Sequence, residues 1–128
     1  MRKHTFSKEE RLCSKRLIDN LFRNGSSFFI YPYRVTYLHV EEPATKVQVL
    51  FSVPKRRFRL SVQRNRIKRR MREAYRLQKY EFIQQMTQTS GSGLAVAVQY
   101  VGNADCDYHV MHERMAEVLK KLLEAYNT

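Results

Sequence analysis

Residues 46–76 read KVQVLFSVPKRRFRLSVQRNRIKRRMREAYR. The first third alternates, with Val47, Val49, Phe51 and Val53 on one face and Gln48, Leu50 and Ser52 on the other, the pattern of a half-buried strand. Pro54 stops that strand and opens a basic loop over 55–63. From 64 to about 86 the apolar period changes to that of a helix: Ile67, Met71, Ala74, Gln78 and Phe82 share one stripe. At about 100° per residue, Asn65, Arg69, Arg72 and Arg76 fall on the opposite face. Strand, loop and helix in succession are the first two-thirds of a crossover unit. The charge is concentrated in the same place. Lys55–Arg76 holds 11 of the 24 Lys and Arg residues and one acid, Glu73, so it carries +10 of the chain's net +12. Such a field attracts a polyanion and releases its counterions, which favours nucleic acid over an anionic membrane.

The flanks complete the fold. Ser7 and Glu10 fit a capping box, with a second helix start available at Ser14. Leu17, Ile18, Leu21 and Phe22 repeat at helical spacing, and Gly25 sits where a left-handed residue would end the helix. FFIYPYRVTYLHV, residues 28–40, reads as one aromatic and β-branched strand, with Pro32 marking an edge or a strand start. Residues 41–44 form a turn, so this strand and 46–53 are expected to pair antiparallel. TQTSGSG, 87–93, is a connector, and LAVAVQYV, 94–101, is apolar on both sides like a covered central strand. Asp105 or Asp107 can cap a last helix with the stripe Met111, Met115, Val118, Leu122 and Tyr126. The order α-β-β-α-β-α predicts an α+β sandwich, a small mixed central sheet with a split β-α-β crossover, in one domain spanning 1–128. The crossover is right-handed by default.

At 128 residues with 43% hydrophobic content the chain supports one core. No apolar run approaches the ~20 residues of a membrane span, and no apolar segment follows the basic start, so the reading is a soluble, cytoplasmic protein. Cys13 and Cys106 lack partners at metal-ligand spacing. Asp19, Glu73, Asp105 and Asp107 are scattered over several elements, and His4, His39, His109 and His112 lack the HExxH spacing. The residues therefore predict no autonomous catalytic site and no metal site in this chain. A DNA-binding regulator is also disfavoured, because the basic helix lies between strands and not in a helix-turn-helix.

Three blocks carry a resemblance: Phe51-Ser52-Val53-Pro54-Lys55, then Ser61-Val62-Gln63-Arg64-Asn65-Arg66-Ile67-Lys68-Arg69, then Arg72-Glu73-Ala74-Tyr75-Arg76. With them the chain resembles the bacterial ribonuclease P protein family, and Leu12, Ser14-Lys15, Ile18, Phe22 and Gly25 extend the likeness upstream. It departs from the family pattern in having no glycine in the basic loop, which carries Arg57-Phe58-Arg59-Leu60 and is one residue longer. It also has Ser61 for an alanine and Ile18 for a frequent aromatic.

The resemblance implies a ribosomal-protein-like RNA-binding fold whose crossover is left-handed, contrary to the default. It implies a subunit that binds a catalytic RNA and assists Mg²⁺-dependent removal of the 5′ leader from precursor tRNA, with the chemistry and the Mg²⁺ belonging to the RNA. Its partners would be ribonuclease P RNA and precursor tRNA, with no membrane and no DNA. On this reading Arg64, Asn65, Arg66, Lys68, Arg69, Arg72 and Arg76 face the RNA subunit. Phe22, Tyr33 and Tyr37, with Lys55 and Arg56, take the single-stranded leader in a cleft between the first helix and the sheet. The competing reading is a ribosome-associated protein that docks rRNA outside any catalytic cycle.

Overall fold

The computed structural model describes residues 8–41, 46–86 and 92–127. A 3-10 turn at Lys8–Glu10 precedes α1 (Lys15–Asn24), β1 (Ser26–Ile30), β2 (Tyr33–Glu41), β3 (Val47–Ser52), α2 (Ser61–Gln84), β4 (Ser92–Tyr100) and α3 (Tyr108–Asn127). The four strands form one mixed sheet in the order β1-β2-β4-β3. The α+β sandwich on a small mixed sheet is therefore present, but β3 and β4, the parallel strands that α2 joins, are direct neighbours, so the crossover is not split, and two further points of the reading are amended.

The run 28–40 is a hairpin and not one strand. Pro32 follows a cis peptide bond in the turn between β1 and β2, and β1 pairs antiparallel with β2 from Ser26↔Tyr37 to Ile30↔Tyr33. The turn sits where proline, lacking an N–H, can donate nothing to a ladder. The second amendment concerns pairing. β2 and β3 do not bond each other: β4 lies between them, antiparallel to β2 and parallel to β3. The central place goes to the strand that is apolar on both faces, and Gly93 to Val98 are buried without interruption.

Period-2 alternation divides the sheet into two faces. Tyr33 and Val35 of β2, Val47, Val49 and Phe51 of β3, and Leu94, Val96, Val98 and Tyr100 of β4 meet Ile67, Met71 and Ala74 of α2 and Met111, Met115, Val118, Leu122 and Tyr126 of α3. The stripe foreseen on α3 is thus wholly buried. On α2 the buried stripe also takes in Tyr75 and Lys79, while Gln78 is only half-buried and donates to the Ala74 and His112 carbonyls at 3.0 Å. Lys79 is tolerated inside because Glu10 of the N-terminal turn pairs with it.

The other face carries a smaller core: Leu12 and Leu21 against Ala95 and Ala97, bordered by Leu17, Ile18, Leu38, Val40 and Leu50. α1 starts at Ser14, whose side chain accepts the Leu17 N–H at 3.3 Å. Ser7, the other start considered, lies outside the described residues, as do residues 42–44 of the expected turn and 87–91 of the connector, while Glu41 belongs to β2. Gly25 ends α1 in an extended conformation (φ −76°, ψ 165°) and not the left-handed one its sequence position suggested. Its lack of a side chain serves close approach: a Cβ would stand 2.7 Å from the Tyr37 carbonyl oxygen and nearer still to that of Leu21.

Upstream of α1, Leu12 N–H donates to the Val49 carbonyl at 3.0 Å, so the helix begins at the β3 edge. It ends beside Tyr37 and leads into β1. α1 therefore crosses the sheet along the row Val49–Val96–Tyr37–Ser26, and leaves open the part of that face beyond it. Among the described residues no helix is long and apolar enough to cross a membrane.

Candidate nucleic-acid interface

Three connections gather at one end of the sheet: the β1–β2 turn, the loop from Val53 to Leu60, and the loop after Tyr100. The N-terminal half of α2, with the basic run, rises from the same end. The helix starts at Ser61, three residues earlier than its periodicity suggested, with Leu60 at the cap position and no side-chain cap. The Arg64 N–H consequently bonds the Leu60 carbonyl at 3.2 Å and is not an open phosphate donor.

The seven side chains assigned to RNA divide into two groups. Arg64 turns back and donates to the Phe58 and Arg59 carbonyls, both at 2.8 Å, tying the basic loop to the helix. Arg66 forms a two-pronged pair with Asp105, at 3.1 and 2.7 Å, and Arg70 reaches the same carboxylate at 3.1 Å. Arg76 pairs with Glu73 at 2.6 Å, which lowers the Glu73 pKa and raises that of Arg76. The sequence offered no acid near Arg66, and the fold supplies one from the far side of β4. Asn65, Lys68, Arg69 and Arg72 remain outside any ion pair among the described residues. They lie at i, i+3, i+4 and i+7, a continuous stripe on the outer face of α2.

Phe58 is the residue that sequence reading missed in the loop. It is buried, its ring 5.8 Å from that of Tyr100 in an edge-on contact. An aromatic inserted into RRFRL was the available signal. The plug fixes the loop, and its neighbours Lys55, Arg56 and Arg59 are exposed without ion-pair partners among the described residues. Arg57 is held by Asn103.

The aromatic assignments need correction. Tyr33 is fully buried (0% exposed), and its hydroxyl donates to the Met111 carbonyl at 2.9 Å. Burial pushes its phenol pKa upward, the negative ends of Cys106 and Tyr108 adding to the effect. It cannot stack on a base. Tyr37 shares its parity, so it faces α3 and packs on Phe28 at 6.0 Å. Both point away from the face that α1 covers. Phe22 is exposed on α1 (48%) and is available, one turn after Ile18. The open part of the α1 face is lined instead by the exposed Arg34 of β2 and by the half-buried Gln99 of β4 and Ser52 of β3, residues that alternate with the buried ones. The charge of Arg34 between the apolar Tyr33 and Val35 was the signal for this.

Comparison with known proteins decides the lineage. The family model described as Ribonuclease P matches residues 6–123. The chain belongs to the ribonuclease P protein family. It is 37% identical to the ribonuclease P protein component of Porphyromonas gingivalis over 117 residues, covering 91% of this chain and 85% of that one. It is 34% identical to the component from Chlorobium phaeobacteroides over 106 residues, 80% of this chain and 72% of that one. The solved RNase P proteins of Staphylococcus aureus and Thermotoga maritima share the fold, each with a TM-score of 0.67, at 18% and 20% identity. These matches cover 88% of this chain and 94% and 96% of the respective structures. As a ribonuclease P protein, the chain is a subunit of a tRNA-processing endoribonuclease, a ribonucleoprotein, and its partner is RNA. The ribosome-associated alternative has no support among these relatives.

Proposed function

We propose that the two faces of the sheet do two jobs for one ribonucleoprotein of the cytoplasm. The outer stripe of α2, with Asn65, Lys68, Arg69 and Arg72, docks on the phosphate backbone of ribonuclease P RNA, with Arg66 and Arg76 beside it. The opposite face, between α1 and the basic loop, holds the unpaired 5′ leader of precursor tRNA. There Phe22 offers a ring, Lys55 and Arg56 offer charge, and Arg34, Gln99 and Ser52 form a polar floor. The observation that carries this is the meeting of the unpaired cations and the uncovered sheet floor at the same end of the molecule.

The residues on this chain bind and orient. No group of three His, Cys, Asp or Glu that could hold a metal comes together among the described residues. The carboxylates that meet the basic run of α2, Glu73 and Asp105, are engaged by arginines, and Glu10 is engaged by Lys79 further along the helix. Mg²⁺ would be held by the RNA, where it would supply the hydrolytic chemistry. Holding the leader raises the affinity for precursor over mature tRNA, because the mature molecule lacks the strand that the floor contacts.

The test is the affinity of the RNA–protein complex for precursor and mature tRNA, compared with that of the RNA alone. Adding the protein should tighten precursor binding selectively. Equal tightening of both tRNAs would remove the leader-binding role.

A further inference from the structure

At the β1 edge of the sheet the floor ends in two aromatic side chains that nothing in the core requires. Phe29 is 60% exposed and Tyr31 52%, and their rings meet edge-on with centroids 6.3 Å apart. Phe29 is paired across the ladder with Arg34, and Arg34 with Gln99, which is itself paired with Ser52. All four therefore share the face of the sheet on which α1 lies. The row runs parallel to α1 for about 14 Å, three inter-strand spacings, from the basic loop at one edge to the aromatic pair at the other. Arg34 is exposed and has no ion-pair partner among the described residues. Beside it Ser27, Phe28, Phe29, Arg34 and Val101 line an open cleft of about 370 Å³.

Two exposed rings next to a free guanidinium match the chemistry of a nucleobase platform: the rings stack on bases and the cation takes the backbone phosphate. No carboxylate stands in the row to repel a phosphate. We propose that Phe29, Tyr31 and Arg34 form a second stacking site for unpaired RNA, taking leader nucleotides beyond those that Phe22 and the basic loop hold. This rests on the leader reading given above and extends it to a longer strand.

The experiment uses the complex of full-length protein with a bacterial ribonuclease P RNA and two precursor tRNAs, one with a long unpaired leader and one with a leader cut to about two nucleotides. F29A/Y31A should weaken binding of the long-leader substrate by about 5- to 150-fold, the range for losing one stacked base. The short-leader substrate should bind as before. F29Y/Y31F, which keeps both rings, should restore the long-leader affinity. Equal losses for both substrates, or none, would overturn the platform while leaving leader binding elsewhere intact. An unmodified complex that ignores leader length would overturn both. A change confined to self-association, read by sedimentation, would assign the rings to a contact between copies and end the proposal.

Discussion

Neutralising Lys68, Arg69 and Arg72 together should change how RNA binding responds to salt far more than it changes the fold. The three cations have no ion-pair partner among the described residues; Arg69 and Arg72 stand opposite the buried stripe of Ile67, Met71 and Ala74, and Lys68 flanks it. Replacing them with glutamine removes no core contact and keeps helix propensity nearly constant. If each meets one phosphate, the slope of log K against log salt should flatten by about 0.7–0.9 per residue, or about two to three units in all. Between 50 and 200 mM salt the unmodified protein would then lose about 20- to 40-fold more affinity than the triple variant. Filter binding of ribonuclease P RNA across that range measures it, with Lys120→Gln on α3 as a control that should leave the slope alone. A triple variant with the slope of the unmodified protein would refute the assignment of this face.

Other substitutions separate packing from binding. Tyr33→Phe removes a buried hydroxyl hydrogen bond and should cost about 1–2 kcal/mol of stability, measured by urea unfolding, with no effect on leader-dependent affinity. A selective loss of leader binding would return Tyr33 to the interface. Phe58→Ala should cost about 3–5 kcal/mol and release the basic loop, so that RNA affinity falls even under conditions where the variant is fully folded. Undiminished affinity would mean that the loop needs no anchor. The raised phenol pKa values of Tyr33 and Tyr75, caused chiefly by burial, set an alkaline limit. The folded state retains protons that the unfolded chain releases near pH 10.0, so this contribution is intact below that pH and lost as pH rises above it. Each such tyrosine lowers stability by about 1.4 kcal/mol per pH unit there. Phenolate absorbance for these residues should appear only together with unfolding, and their titration in the folded protein would contradict the burial.

Much of this molecule can be read from local pattern. Alternation gave β3, two-sided apolarity gave the central place of β4, and the 3.6-residue period gave the buried stripes of α2 and α3. What escaped depends on contacts between distant segments. The pairing of Arg66 and Arg70 with Asp105 spans 39 and 35 residues, and no spacing rule on α2 could anticipate it. The same is true of Phe58 on Tyr100, and of Gly25, whose constraint is the proximity of the Tyr37 backbone and not its own dihedral angles. The tyrosines failed for a different reason. Parity placed Tyr33 and Tyr37 together on one face of β2, but only the packing of α1 revealed which face stayed open. Phe29 and Arg34 were hidden by reading the hairpin as one strand, which erased the β1 edge on which the exposed rings stand.

Multiple-turnover cleavage of a 5′-leader precursor tRNA at low Mg²⁺, by bacterial ribonuclease P RNA with and without this protein, tests the central claim most directly. Cleavage at the mature 5′ end that requires both components is the expected result. RNA that cleaves no better with the protein than without it, while binding it tightly, would contradict the role assigned to the two faces of the sheet.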